Sequence, residues 1–503
     1  MLPQVELSDL APSIMLTLRE NRLTPRYRQL YDALRDAILS GRLAPGSRLP
    51  ATRTLAQEIG ASRNTVVSAF ELLLAEGYLE TRVGDGTYIS RHIPDDLLRS
   101  GPPPIESAPA APGAGALSAR GAQIAAIAAA PPLATNAPLA FRPGMPAVDL
   151  FPFELWGKLA AKVMRAPSPE LLRYGDPAGY APLREAIASY LSSSRGVACT
   201  PQQVIIISGS QQGIDIIGRL LLDPGDVALL EDPGYLGARG ALLGLGARVV
   251  PVPVGPEGID IAAARATSPN ARLVYVTPSH QYPTGITMSL ARRLALIEWA
   301  RDHSAWILED DYDSEFRYVG RPLPAMQGLD THQRTIYIGT FSKMLFPAMR
   351  LGYLVVPPHL IGAFSNARAL ADRGSPSFDQ ATAAEFLQSG AFARHVRRMR
   401  KIYAERQEAL VAAADRHLRG LIQIEPSEAG MHLVGWLDES ARVAPMVAAA
   451  AAQGITLNTI AAYTLGPPTR PGLLFGYAAI PPAEIAAAVR RLAQAWRSLT
   501  YRR

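Results

Sequence analysis

Cysteine is all but missing: Cys199 is the single one in 503 residues. That excludes an internal disulfide framework and fits a reducing compartment. No run reaches the uninterrupted apolar length of a membrane span. The start, MLPQVELSDLAPSI, carries acids where a signal peptide would place basic and then apolar residues, so a cytoplasmic protein is expected. The eight histidines are scattered without ligand spacing, and no metal site is expected. Lysine is scarce too: Lys158, Lys162, Lys343 and Lys401 are the only ones, and arginine carries nearly all of the 50 basic charges. An amine can form an imine and a guanidinium cannot, so a lysine kept in such a chain suggests a need for its chemistry.

What is present allows large cores. With 48% hydrophobic residues, a chain of this length is expected to form two to four domains. The net charge of +6 permits a polyanion partner without requiring one.

Residues 22–91 carry a compact pattern. After Pro25, Tyr27, Leu30, Tyr31, Leu34 and Ile38 recur at helical spacing up to Gly41, which predicts an amphipathic helix with a glycine end. A second short helix is expected over about 53–59, stopped by Gly60, and a third runs to about Glu76 with Ser62 as its cap. On the third, Val66, Val67, Phe70, Leu73 and Leu74 face inward. Arg63, Asn64, Thr65 and Ser68 are left outward near its start, placed to enter a major groove. The β-prone runs 78–82 and 87–90 are joined through Val83-Gly84-Asp85-Gly86 as a hairpin wing.

Arginine reads guanine edges or phosphate, asparagine reads adenine and hydroxyls bind phosphate. Arg48 and Arg53 add charge nearby. Residues 1–91 hold eleven arginines against ten acids, so DNA binding must come from a local patch; a helical domain using its hairpin for protein contacts is the competing reading. The segment GRLAPGSRLPATRTLAQEIGASRNTVVSAFELLLAEGYLETRVGDGTYIS resembles the winged helix-turn-helix of the GntR regulators almost end to end. That resemblance implies double-stranded operator DNA as a partner, with Arg48, Arg53, Ser62, Arg63, Asn64, Thr65, Gly84 and Gly86 at the contact surface.

From His92 to about Leu139 the composition shifts to Pro, Ala, Gly and Ser, with PPP at 102–104 and APAAPGAGA at 108–116. Such a stretch cannot bury enough apolar surface to fold alone, and 92–139 is read as a linker. Its alanine-rich part, 123–130, could turn briefly helical when docked but is assigned no helix. From Phe141 an α/β pattern follows. Apolar runs at 204–207, 227–230, 248–252, 273–276, 306–308, 336–338 and 352–356 alternate with helical patterns at 212–222 and 289–303, giving about seven strands in a mostly parallel sheet. A long helix at 392–417 and a strand–helix piece from 422 complete the chain. The domain is placed at 140–503, its large part over about 150–375 and a smaller C-terminal α/β part over about 376–503.

Four motifs fall at strand ends, where an open α/β sheet places its ligands. Ser208-Gly209-Ser210-Gln211 turns a strand into a helix whose free amides suit a phosphate. Glu231-Asp232-Pro233-Gly234-Tyr235 sets an aromatic on a tight turn, suited to stacking on a flat ring, though most such tyrosines simply pack. Thr277-Pro278-Ser279-His280-Gln281-Tyr282-Pro283-Thr284-Gly285 is too polar for a plain connection. Glu309-Asp310-Asp311-Tyr312-Asp313 clusters acids, which a metal could use. A pyridine cofactor explains more: Asp310 keeps a ring nitrogen protonated and Tyr312 reaches a phenolic oxygen. Lys343, in TIYIGTFSKMLFPAMRLGYLVVP, follows a hydroxyl-rich turn; Ser342 and Arg350 suit a phosphate. The plainer reading of Lys343 is a side chain snorkelling from a buried loop.

The pairing of both halves resembles the MocR/GabR subfamily of GntR regulators over residues 22–91 and about 141–497: a winged helix-turn-helix joined to a domain of the fold type I aminotransferase kind, which binds pyridoxal 5′-phosphate (PLP). The resemblance implies a multi-domain, ligand-sensing transcription regulator and a homodimer. It makes Lys343 the Schiff-base lysine, pairs Asp310 with the ring nitrogen and Tyr312 with the phenolic oxygen, and stacks Tyr235 on the ring. Ser210, Gln211, Ser342 and Arg350 match phosphate-binding positions. Tyr174 resembles a residue that reaches a phosphate across the dimer. Two positions depart from the pattern. Tyr282 stands where many aminotransferases have Asn, and Leu474 stands where active ones carry a carboxylate-gripping arginine. Arg470 is the candidate replacement for an effector contact. The effector expected is an amine, an amino acid or PLP itself, and a working aminotransferase with a DNA-binding domain is the alternative.

Overall fold

A computed structural model of the chain describes residues 24–82, 84–93, 117–127, 141–320, 323–466 and 470–500. The chain parts into two compact units between Ala116 and Leu117. No helix among the described residues is long and apolar enough to cross a membrane.

In the first unit, α1 (Arg26–Leu39), α2 (Thr52–Glu58) and α3 (Arg63–Ala75) precede a two-stranded hairpin, β1 (Leu79–Arg82) and β2 (Gly86–Ile89). The strands pair antiparallel, with Arg82 opposite Gly86. Leu30, Tyr31, Leu34 and Ile38 from α1 join Val66, Phe70 and Leu73 from α3 in one core. Tyr27, expected on the same stripe, remains 40% exposed in the first turn of α1. Ser62 caps α3, its side chain accepting from Thr65 N at 3.1 Å. Positive φ angles of 79° at Gly84 and 118° at Gly86 make the tight wing turn, which a side chain would strain.

The 92–139 stretch, expected as linker, contains a helix that starts before the alanine-rich part, α4 (Ala119–Ala126). Eight residues are too few to hold a helix alone, so tertiary contact decides this one. Arg120 Nε donates to Gly244 O at 3.3 Å, and a Cβ on Gly244 would lie 3.7 Å from Ile124 and 3.9 Å from Ile127. The Pro-rich runs at 102–104 and 108–116 lie outside the described residues.

The second unit is built on eight strands: β3 (Val204–Ile207), β4 (Val227–Asp232), β5 (Arg248–Gly255), β6 (Gly258–Ile259), β7 (Leu273–Val276), β8 (Trp306–Asp311), β9 (Thr335–Thr340) and β10 (Gly352–Val355). Their spatial order is β3-β10-β9-β8-β7-β4-β5-β6. The pairs β5/β4, β4/β7, β7/β8 and β8/β9 are parallel. The short β6 adds an eighth strand to the seven expected and runs antiparallel to β5. β10 runs antiparallel to both β9 and β3: the loop from Phe341 to Leu351 holds only one 3-10 turn, so the chain reverses beside β9 instead of crossing over, as a parallel neighbour would need. β3, β7, β8, β9 and β10 are buried along their whole length, which explains their near-continuous apolar runs.

A second, antiparallel sheet has the order β11-β12-β14-β13, from β11 (Gln423–Ile424), β12 (His432–Trp436), β13 (Asn458–Thr459) and β14 (Gly472–Gly476). Four further helices matter below: α5 (Ser210–Leu221), α6 (Leu236–Gly244), α7 (Ala391–His417) and α8 (Pro482–Thr500). The boundary expected near 376 lies further on, inside α7. Ala391, Phe392 and Val396 belong to the core of the eight-stranded sheet, whereas Met399, Tyr403 and Leu410 belong to the core of the smaller sheet. A helix of 27 residues, about 40 Å long, spans both.

Candidate functional site

The C-terminal ends of β4, β7, β8 and β9, with the start of α5, surround a cavity of about 240 Å³. Eight of the nine expected cofactor residues line it: Ser210, Gln211, Tyr235, Asp310, Tyr312, Ser342, Lys343 and Arg350. Lys343 enters from the loop after β9, and its Nζ donates to Gly144 O at 2.7 Å. The side chain keeps some surface on the cavity, yet desolvation of its amine lowers the pKa despite the opposing pull of Asp313 and Asp310. Burial of this kind disfavours the charged form of a lysine.

Strand alternation sorts the acids of the fourth motif. Glu309 turns away and accepts from Met326 N at 2.8 Å and Gln327 N at 2.9 Å. Asp311 also turns away, accepting from Arg195 Nε at 2.8 Å and the Tyr337 hydroxyl at 2.6 Å. Asp310 faces the cavity. Its Oδ2 accepts from the Tyr275 hydroxyl at 2.7 Å, while its buried Oδ1 has no partner. Burial pushes the Asp310 carboxyl up to about 7, outweighing the Tyr275 bond. No group of His, Cys, Asp and Glu among the described residues is arranged to hold a metal. A carboxylate on the cavity wall with one oxygen unpartnered suits a single N–H donor instead.

The other end of the cavity suits an anion. Gly209, with φ +116°, leads into α5, so Ser210 and Gln211 sit in its first turn. Amides there are without helical partners and carry the positive end of the dipole. A Cβ on Gly209 would lie 3.3 Å from the Arg350 guanidinium; glycine keeps that approach open. Gln211 Nε2 donates to Gly237 O at 2.9 Å, tying α5 to α6, whose N-cap is Tyr235. Lys343 and Asp310 at one end and the α5 terminus with Arg350 at the other fit a phosphorylated pyridine aldehyde.

Two expected residues lie elsewhere. Tyr174 is 86% exposed, with the Arg373 guanidinium 5.5 Å from its ring centroid. Arg470 does not reach the cavity. Its guanidinium lies 5.5 Å over Trp436 and its Nη2 donates to Gln423 Oε1 at 3.2 Å: the edge of the smaller sheet, with a π face and a carbonyl acceptor, holds it. Leu474 is fully buried on β14, and Arg350 is the only arginine lining the cavity among the described residues. Gly144 and Tyr275 were missed. The hydroxyl of Tyr275 in an otherwise aliphatic strand was the one available signal; Gly144 left none.

In the first unit, Arg63 and Asn64 are exposed at the start of α3, and Arg48 and Arg53 are exposed nearby. Arg48 Nη1 lies 3.9 Å from Asp85 Oδ1 on the wing turn, so part of its charge is already offset. Ser62 Oγ and Thr65 Oγ1 are 2.9 Å apart and engaged in the cap.

Residues 148–492 match the family model for aminotransferase class I and II, and residues 26–89 match that for bacterial regulatory proteins of the gntR family. The chain is 41% identical over 487 residues to a probable rhizopine catabolism regulatory protein MocR of Rhizobium meliloti, covering 96% of each. It is 31% identical over 459 residues to the pyridoxine biosynthesis transcriptional regulator PdxR of Corynebacterium glutamicum, covering 89% of this chain and 91% of that one. Among solved structures, a kynurenine aminotransferase of Pyrococcus horikoshii in complex with PMP superposes with a TM-score of 0.67 at 28% identity, over 72% of this chain and 92% of that one. The α-aminoadipate aminotransferase LysN of Thermus thermophilus, complexed with N-(5'-phosphopyridoxyl)-L-leucine, gives 0.66 at 30%, over 72% and 93%.

Fold and site together define a fold type I aminotransferase domain, a class whose architecture implies PLP binding, carried behind a GntR winged helix. The chain belongs to the MocR/GabR type of GntR regulators, HTH-type transcription regulators with an aminotransferase-like domain.

Proposed function

We propose that the cavity takes PLP through Lys343 and that its occupancy is read out as a change in operator binding. The observation that carries this is the partnerless Asp310 Oδ1 sharing one cavity with a desolvated Lys343 amine. PLP, when bound, supplies an electrophilic carbonyl able to take up an amine. Asp310 accepts from the ring N–H, Tyr235 stacks on the ring, and Ser210, Gln211, Ser342 and Arg350 hold the phosphate. On the first unit, Arg63 and Asn64 meet base edges, while Arg48, Arg53, Ser62, Thr65 and the Gly84–Gly86 wing follow the backbone.

The protein acts as a homodimer. Helix Phe153–Arg165 buries none of its residues, and Phe153, Leu155 and Met164 are exposed on it. Such an apolar face suits a second copy, and exposed Tyr174 is free to serve the partner's phosphate. The effector is PLP or an amine: the cavity offers no arginine besides Arg350 among the described residues, which disfavours an ordinary amino acid and the transaminase alternative. Absorbance spectra of the purified chain with PLP and then with a panel of amines test the reading. A visible band that changes with an amine, together with a shifted DNA affinity, is expected; a chain that takes up no PLP overturns it.

A further inference from the structure

Tyr312 lines the cavity, and its hydroxyl oxygen lies 2.9 Å from His280 Nδ1. The same nitrogen lies 3.0 Å from Asp313 Oδ2. His280 and Asp313 are each 1% exposed, and neither is among the residues proposed to hold PLP. The smaller sheet closes over them. A Cβ on Gly430 would stand 2.0 Å from the His280 ring, and the His432 ring on β12 lies 5.1 Å from it. His280 therefore cannot swing away from Tyr312.

One nitrogen shared by a carboxylate and a hydroxyl fixes the direction of both bonds. An ionised carboxylate only accepts, so Nδ1 carries the proton, and its single N–H is shared between Asp313 Oδ2 and Tyr312 Oη. Tyr312 Oη then accepts at this contact, and its own proton is left to donate elsewhere. The space beside it is the cavity.

We propose that His280, held in one tautomer by Asp313, is a positioning residue that aims the Tyr312 hydroxyl proton into the cavity at the ring oxygen of the cofactor. The proposal rests on PLP occupying that cavity. Lys343 and His432 face the trio from the loop after β9 and from β12. Asp310, Glu231 and Tyr282 face Tyr312, and Tyr318 and Tyr477 face Asp313. These groups are common to every variant compared below.

The test is a pH titration of the visible absorbance of the PLP-loaded full chain. A hydroxyl donor at the ring oxygen favours the unprotonated lysine linkage, in which that oxygen has lost its internal proton partner. Tyr312→Phe is expected to raise the midpoint by about one pH unit. His280→Gln, whose polar end falls near the Nε2 position, leaves no donor beside Tyr312 and is expected to raise it likewise; His280→Ala serves if the glutamine chain does not fold. His280→Asn restores an N–H at the Nδ1 position and is expected to keep the wild-type midpoint. Added to Tyr312→Phe, His280→Gln is expected to cause no further shift, because it acts through that hydroxyl. A wild-type midpoint in His280→Gln, or a full further shift in the double variant, overturns the proposal while the cofactor reading stands. A wild-type chain with no visible band overturns both.

Discussion

Lys343 Nζ donates to the carbonyl oxygen of Gly144 at 2.7 Å, joining residues 199 apart in the sequence. Gly144 has φ +72°, and a Cβ there would stand 3.0 Å from the amine. The Lys343 amine is thus held by a backbone atom of a segment that precedes every strand of the large sheet. A side chain at this positive φ would strain the backbone and crowd the amine.

Lys343→Ala is predicted to abolish the visible band of bound PLP while the anion end of the cavity still holds the cofactor weakly. The winged helix is a separate unit, so operator binding should persist but no longer respond to PLP or an amine. Absorbance and gel-shift titrations check both halves. A variant that keeps the wild-type spectrum would remove Lys343 from the site.

Arg63→Ala and Asn64→Ala are each predicted to weaken operator binding by about 1–3 kcal/mol, the worth of one base contact. Both side chains are exposed and lie outside the first unit's core, so PLP absorbance and thermal stability should not move. Unchanged gel-shift affinity would refute the groove assignment.

Ile124→Asp is predicted to release α4. Ile124 is 50% exposed, so undocking it forfeits about 1 kcal/mol, and a helix this short has no reserve. Amide exchange across 119–126 should speed up roughly fivefold, with the melting of the second unit nearly unchanged. Equal exchange in both proteins would show that another contact holds the helix.

Acid stability should carry the mark of His432. Burial, then nearby His280, pushes its pKa down to about 3, while an unfolded histidine titrates near 6.5. Below about 6.5 the unfolded chain binds a proton that the folded chain refuses, so stability falls with pH, by about 1.4 kcal/mol at pH 5.5. Glu231, Glu309 and Asp310, each raised to about 7 by burial, act with the opposite sign: their stabilisation is present at low pH and is lost as pH rises through about 7. They are common to both chains, so His432→Gln should flatten the difference on the acid side. Parallel urea titrations at pH 7.5 and 5.5 decide it; equal losses in the two proteins would contradict the shift.

The local elements were legible because they depend on near neighbours in the chain. Ser62 before α3, Gly84 and Gly86 in the wing, and the aliphatic runs of β3 and β7 each state a conformation through a side chain or its absence. The motifs at the strand ends also named most of the cavity. The sequence alone thereby determined the two-part organisation and placed Lys343, Asp310 and Arg350 among the residues of one cavity. Tertiary structure decided the rest, since those matters depend on groups distant in the chain. Docking on Gly244 makes 119–126 helical where composition reads as linker. The edge of the smaller sheet takes Arg470 away from the cavity. His280 meets Asp313 and Tyr312 because β7 and β8 are neighbours and their ends share one edge of the sheet. Desolvation of Lys343 and Asp310 belongs to this second group: a pKa depends on what surrounds a group in space, and no run of residues along the chain states that.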